Sequence, residues 1–173
     1  MQLAAPHTWP AAILPVVFAC AYAAVTTQHL SVITVIVLLA ICVLMQSSVN
    51  TINDYYDYVK GSDTATNQDD PTDAVLVYNN VSPRSALIMA LLFLFVSLCL
   101  GVYVISVAGW IPLAIGLIGA AIVILYSAGK TPISYLPLGE FVSGFTMGIL
   151  MPLACFQVLT GTLSFLFVLL SLP

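Results

Sequence analysis

Five apolar runs, none of them broken by a charged residue, govern what this chain can become. They cover Pro10–Thr26, Leu30–Ile52, Ser85–Val107, Trp110–Tyr126 and Phe141–Leu159, and a sixth opens at Leu163. Each of the five is near the ~17–25 residues that a helix needs to cross a ~30 Å hydrocarbon layer. Backbone groups in hydrocarbon must pair within their own segment, and the runs lack the alternation of barrel strands, so helices are the spanning form expected. Composition agrees, with 61% hydrophobic and 6% charged residues against roughly 45–50% and about 25% in soluble domains. The expectation is an all-α, polytopic transmembrane bundle: one membrane domain over residues 1–173, with five full spans and a truncated sixth in contact with the lipid bilayer.

The charges sort by side. All seven acidic and three basic residues fall in two windows, Asp54–Arg84 and Lys130–Glu140. Alternating spans put the connections 54–84 and 127–140 on one side of the membrane. Lys60, Arg84 and Lys130 all lie there, which the positive-inside rule assigns to the cytoplasm together with the amino terminus. A net charge of −4 argues against nucleic acid or anionic lipid as a partner, since both attract basic clusters. The first nine residues carry no Lys or Arg, so the first run reads as a retained helix and not a cleaved signal. Cys20, Cys42, Cys99 and Cys155 are scattered without a CxxC pair and read as buried thiols. Pro15 and Pro152 predict kinks. Gly116 with Gly119, and Gly144 with Gly148, suit close helix contacts.

One stretch resists the apolar pattern: "NTINDYYDYVKGSD", Asn50 to Asp63. If the second helix continues past Ile52, Asn50, Asn53, Asp54 and Asp57 stand at i, i+3, i+4 and i+7, and four oxygen-bearing side chains share a face. Lys60 and Gly61 then form the last turn and its cap. Two carboxylates near a helix carboxyl terminus meet the negative end of the macrodipole and repel each other, so a cation is expected to offset them. Oxygen ligands without His or Cys suit a hard divalent ion, and a sparse set with open positions favours Mg²⁺ bridging to a phosphate. A solvated interfacial turn is the bland alternative. The loop motif "DDPTD" (Asp69, Asp70, Asp73) reads either as a second magnesium pair or as an ordinary solvated loop. In "YSAGKTPISYLPLGEF" (Tyr126–Phe141), Lys130 can present a point charge to phosphate, and Tyr126 or Tyr135 can stack on or hydrogen-bond an aromatic substrate. The same segment also fits an interfacial aromatic belt with a snorkelling lysine.

Taken with "PTDAVLVYN" downstream, these motifs resemble the UbiA superfamily of intramembrane aromatic prenyltransferases, most closely the MenA-type branch that acts on 1,4-dihydroxy-2-naphthoate in menaquinone synthesis. The resemblance runs from "PHTWPAAILPV" to "FQVLTG". It implies a bacterial plasma-membrane enzyme that joins a polyprenyl diphosphate to an aromatic acceptor. It implies that Asn53, Asp57 and Asp63 are the leading Mg²⁺ ligands, with Asp54 close by, Gly61 standing where the family pattern has its last Asp. Lys60, Arg84 and Lys130 would face the diphosphate. The candidate catalytic residues are Asp54, Asp57, Lys60, Tyr126 and Lys130. The candidate substrate-binding residues are Asn50, Lys60, Arg84, Lys130, Tyr135 and Glu140. The resemblance also implies about nine helices and a second Asp-rich motif, neither of which residues 1–173 contain. The expectation is therefore an amino-terminal portion, or a split half with a second chain supplying that motif, or a protein that has lost the activity.

Two other classes fit these residues less well. CDP-alcohol phosphotransferases need a DGxxAR and GxxxDxxxD signature that the chain lacks. A non-catalytic assembly or ion-handling subunit would be expected to carry ionisable groups within its spans, and none lies within these.

Overall fold

The computed structural model describes residues 2–27, 30–61, 75–78, 81–127, 132–133 and 136–172, and every regular element among them is helical. Two single 3₁₀ turns, Gln2–Ala4 and Pro6–Thr8, lead into α1 (Trp9–Thr26). Then follow α2 (Val32–Lys60), the one-turn α3 (Val75–Tyr78), α4 (Pro83–Ala108) and α5 (Ile111–Ser127). A last long helix is assembled from α6 (Gly139–Phe145), a π-helical turn at Thr146–Leu150 and α7 (Met151–Thr160), and a short α8 (Phe165–Ser171) folds back after it.

The helix boundaries follow from local chemistry. The Ser31 side chain accepts the Thr34 N–H and opens α2. Ser82 does the same for Ser85 at the start of α4, where Pro83 occupies a position that needs no N–H donor. Gly61, at φ 74°, closes α2 by donating its N–H to the Asp57 and Tyr58 carbonyls. The π turn has its reason in Pro152, which immediately follows the first residue of α7. Proline offers no N–H to the carbonyl four residues earlier and crowds it with its ring, and one widened turn relieves both faults.

Four helical segments, residues 2–26, 32–60, 83–108 and 139–160, are long and apolar enough to cross a membrane. α5, at 17 residues, reaches only about 25 Å at 1.5 Å per residue. Along α4, the exposed Leu91, Phe95, Leu98 and Val102 recur at i, i+4, i+7 and i+11 and form one apolar outer face. That face suits hydrocarbon as its solvent.

Inside, α2 packs chiefly along the antiparallel α4. Ile52 and Ala90 are buried between them, with Met45, Val49, Tyr56 and Leu94 around. Ser48, fully buried, donates its hydroxyl to the Ala90 carbonyl at 2.9 Å. α8 is held by an aromatic knot: Phe167 stacks on Phe156 (4.5 Å, 14°) and on Phe18 (5.3 Å), and Tyr22 completes the group.

Two expectations change. Cys42 and Cys155 are buried in the main core, but Cys20 is only half-buried and Cys99 is exposed on α4. Three of the four paired glycines do not mediate close helix contacts: a Cβ added at Gly116 or Gly144 would meet nothing within 4 Å, and one at Gly119 only the tip of Met45 at 4.0 Å. They line cavities instead.

Candidate active site

The carboxyl-terminal two turns of α2 carry the acidic motif, and the bundle brings other elements to the same end. The amino-terminal turns dock there. Thr51 Oγ1 lies 2.8 Å from the Leu3 carbonyl and 2.7 Å from that of Ser47, and the Trp9 indole N–H lies 3.0 Å from Ser47 Oγ. Because α4 is antiparallel to α2, Arg84 stands as far before the Ser48–Ala90 contact as Asp54 stands beyond it, about 9 Å in each case. The start of α4 is therefore level with the acids. The ends of α5, with Tyr126, and the start of α6, with Glu140, reach this end as well.

Within the motif, Asn53 and Asp57 meet: Asn53 Nδ2 donates to Asp57 Oδ2 at 2.8 Å, and both side chains are half-buried, as is Asp54. Lys60 is exposed, its Nζ 5.3 Å from the centroid of the Tyr56 ring. Tyr56 in turn packs edge-on against Tyr55 at 5.2 Å. Arg84 and Glu140 are exposed. Asn50 has a different engagement: its Nδ2 donates to Thr8 Oγ1 at 2.6 Å and ties the amino-terminal turn to α2. Asp63, Lys130 and Tyr135, and the loop acids Asp69, Asp70 and Asp73, lie outside the described residues. Among the described residues, no three His, Cys, Asp or Glu side chains converge as a metal cluster. A hard cation at this turn would be held by the Asp54 and Asp57 carboxylates and the Asn53 amide oxygen, with coordination positions left for a ligand's own phosphate oxygens, the usual habit of Mg²⁺.

Beside the acidic turn, a cavity of about 470 Å³ opens between α2, α4, α5 and the α6–α7 helix. Asn50 and Tyr126 line it at the acidic end, and Leu38, Val104 and Leu113 line it at the other. From Leu38 to Asn50 along α2 is about 18 Å. The lining is overwhelmingly apolar. The arrangement can take a molecule with an anionic head at the acidic turn and a hydrocarbon body buried alongside α2.

Two residues of this neighbourhood escaped the sequence reading. Gln46, nine-tenths buried, lines the cavity one turn before Asn50, and its Nε2 lies 3.4 Å from the same Thr8 hydroxyl. The usable signal was a carboxamide in mid-span at i−4 from Asn50, continuing the polar face inward. Thr8 gave none, being 42 residues from Asn50 in sequence.

Residues 12–173 match the model of the UbiA prenyltransferase family. A relative from Bacillus subtilis (strain 168), described as 1,4-dihydroxy-2-naphthoate octaprenyltransferase, is 33% identical over 172 residues, which make up 99% of this chain and 54% of the relative. The chain thus spans about half the length of that relative. These matches give no support for a second chain. No solved structure matches.

Proposed function

The chain belongs to the UbiA prenyltransferase family, and from that premise we propose that it transfers a polyprenyl chain from its diphosphate to an aromatic acceptor, 1,4-dihydroxy-2-naphthoate, in menaquinone synthesis. The observation that carries the reading is the juxtaposition of an acidic helix end with an apolar cavity alongside the same helix. A polyprenyl diphosphate has these two parts.

In this reading Asn53, Asp54 and Asp57, joined by Asp63, hold Mg²⁺, which supplies charge neutralisation to the departing diphosphate. The donor set fits in kind: Asn53, Asp54 and Asp57 each offer a hard oxygen. Lys60, Arg84 and Lys130 bring positive charge to the diphosphate oxygens, Lys60 from a flexible stem on the last turn of α2. The isoprenoid tail lies along the apolar lining, where exclusion of water keeps the developing allylic cation from hydrolysis. The electron-rich ring carbon of the acceptor attacks that cation, and the ring carboxylate leaves as the new carbon–carbon bond forms. Tyr126, on the cavity wall, stacks on the ring, with Asn50 on the same wall, and Tyr135 and Glu140 are further candidates for binding the acceptor. The acidic end faces the cytoplasm in a bacterial plasma membrane.

The test is transfer itself. Membranes from cells expressing the gene, given a polyprenyl diphosphate and 1,4-dihydroxy-2-naphthoate, should yield the prenylated ring, lose the activity with EDTA and regain it with Mg²⁺. Absence of product in Mg²⁺, with the protein demonstrably in the membrane, would overturn the reading.

A further inference from the structure

Two helices each bring a thiol to the cavity wall. Cys42 shares the face of α2 on which Leu38, Gln46 and Asn50 follow one another at four-residue steps, and all four line the cavity. Cys155 shares the face of α7 that carries Met151 and Val158, which line the same space. The two helices touch, and both cysteines belong to one buried core cluster. The Cys155 thiol is engaged by that of Cys42 in a weak S–H···S contact, and only a longer-range interaction reaches Cys20 of α1. Neither Cys42 nor Cys155 is in a disulfide.

The surroundings decide what such a pair can bind. Among the described residues no three His, Cys, Asp or Glu side chains gather to hold a metal ion, so the site offers two sulfurs and no further ligand. Cys42 is 6% and Cys155 2% exposed, which shields both from charged reagents in water, while the apolar wall beside them suits a neutral lipophilic molecule. Thiols in apolar surroundings stay protonated and are sluggish as thiolate nucleophiles. Condensation with a neutral, soft electrophile that takes two sulfurs at once avoids a buried anion, and soft centres favour sulfur. An aryl arsenic(III) oxide has these properties. The arsenic exchanges its oxygen for the two sulfurs, the two thiol protons leave with that oxygen as one water, and no oxidant or reductant is needed.

We propose that Cys42 and Cys155 form a dithiol site on the cavity wall that binds neutral organic arsenic(III) compounds by bridging, pinning α2 to α7 about 12 Å from Asn50 along α2. Once the first arsenic–sulfur bond has formed, the second is intramolecular, so the pair holds arsenic far more tightly than either thiol alone. The site stands apart from the prenyl-transfer reading. Only its consequence rests on that reading, because the bridge takes up cavity volume that the reading gives to the isoprenoid tail.

The experiment titrates phenylarsine oxide into the purified protein in lipid nanodiscs and reads the adduct by intact mass. One arsenical per chain is expected, released by 2,3-dimercaptopropanol and retained in 2-mercaptoethanol at the same thiol concentration. Cys42→Ala and Cys155→Ala should each weaken binding by about 10²-fold or more, while a Cys20→Ala/Cys99→Ala double variant keeps it. A wild-type protein that takes no adduct would overturn the site, as would an adduct that the monothiol strips, or one that Cys42→Ala or Cys155→Ala holds as firmly as wild type. The wild type and the double variant keep both proposed thiols, so they test the pair even if an alanine in the core unfolds the chain. Protein that transfers prenyl groups but takes no arsenical sinks this inference and spares the reaction, whereas protein that takes the arsenical but transfers nothing upholds the site and sinks the reaction.

Discussion

At the scale of single residues, Thr8 shows how much of a site can rest on one hydroxyl. It lies outside the acidic motif, yet it accepts from Asn50 and Gln46 and donates to Ala5, anchoring the amino-terminal turn on α2. Removing that oxygen strands the buried Gln46 and half-buried Asn50 amide donors, so Thr8→Val should lower stability by about 1–3 kcal/mol. Thermal unfolding in detergent would read the loss, and Thr8→Ser should recover most of it. The acids of "NDYYD" were legible in the sequence because charge stands out against hydrocarbon-length apolar runs, and their shared face follows from helical spacing alone. The Asn53–Asp57 hydrogen bond is an i,i+4 contact of the kind that spacing anticipates. The Asn50 partner was not legible. It depends on where residues 2–8 dock, and no periodicity in α2 says so.

At the scale of elements, the helix limits were readable to within a few residues from the apolar runs, with Gly61 foreseen as the cap of α2, while Ser31 and the Ser82–Pro83 pair open α2 and α4 in the structure. What the small residues do was not readable. Glycines three or four apart mean close packing only if another helix happens to lie over them, and α5 instead turns Gly116 to an open space. Gly116→Leu should therefore fold, with stability unchanged or raised by up to about 1 kcal/mol from helix propensity. Its side chain would occupy cavity volume, so transfer from long polyprenyl donors should fall while short donors are spared, as chain-length profiles of product would reveal. Ala90, by contrast, is fully buried against α2, and Ala90→Leu should cost about 1–3 kcal/mol by overpacking. Gly61 supplies a left-handed cap, φ 74° with empty space around its Cα. Gly61→Ala should cost about 1–2 kcal/mol, all of it from backbone strain, and should fray the turn that holds Asp57 and Lys60. Helical content by circular dichroism would register that fraying.

At the scale of the molecule, the arrangement of spans decides where the chemistry happens. The amino-terminal turns, the end of α2 and the starts of α4 and α6 gather at one end of the bundle, and the proposal places that end in the cytoplasm. Lys60→Cys should then react with a membrane-impermeant maleimide in inverted vesicles and resist it in intact cells. The apolar runs made the helical bundle foreseeable. The cavity was not foreseeable, because it arises from four helices whose apolar faces look alike in sequence. The central claim is that the acidic turn of α2 grips a diphosphate through a divalent ion while the cavity holds its tail. The most direct test is Mg²⁺-dependent prenyl transfer to 1,4-dihydroxy-2-naphthoate by membranes carrying wild type or Asp57→Ala at equal protein level. A fall of about 10²-fold or more, the scale of losing one electrostatic stabiliser of a departing anion, is the predicted result, and undiminished transfer by Asp57→Ala would contradict the account.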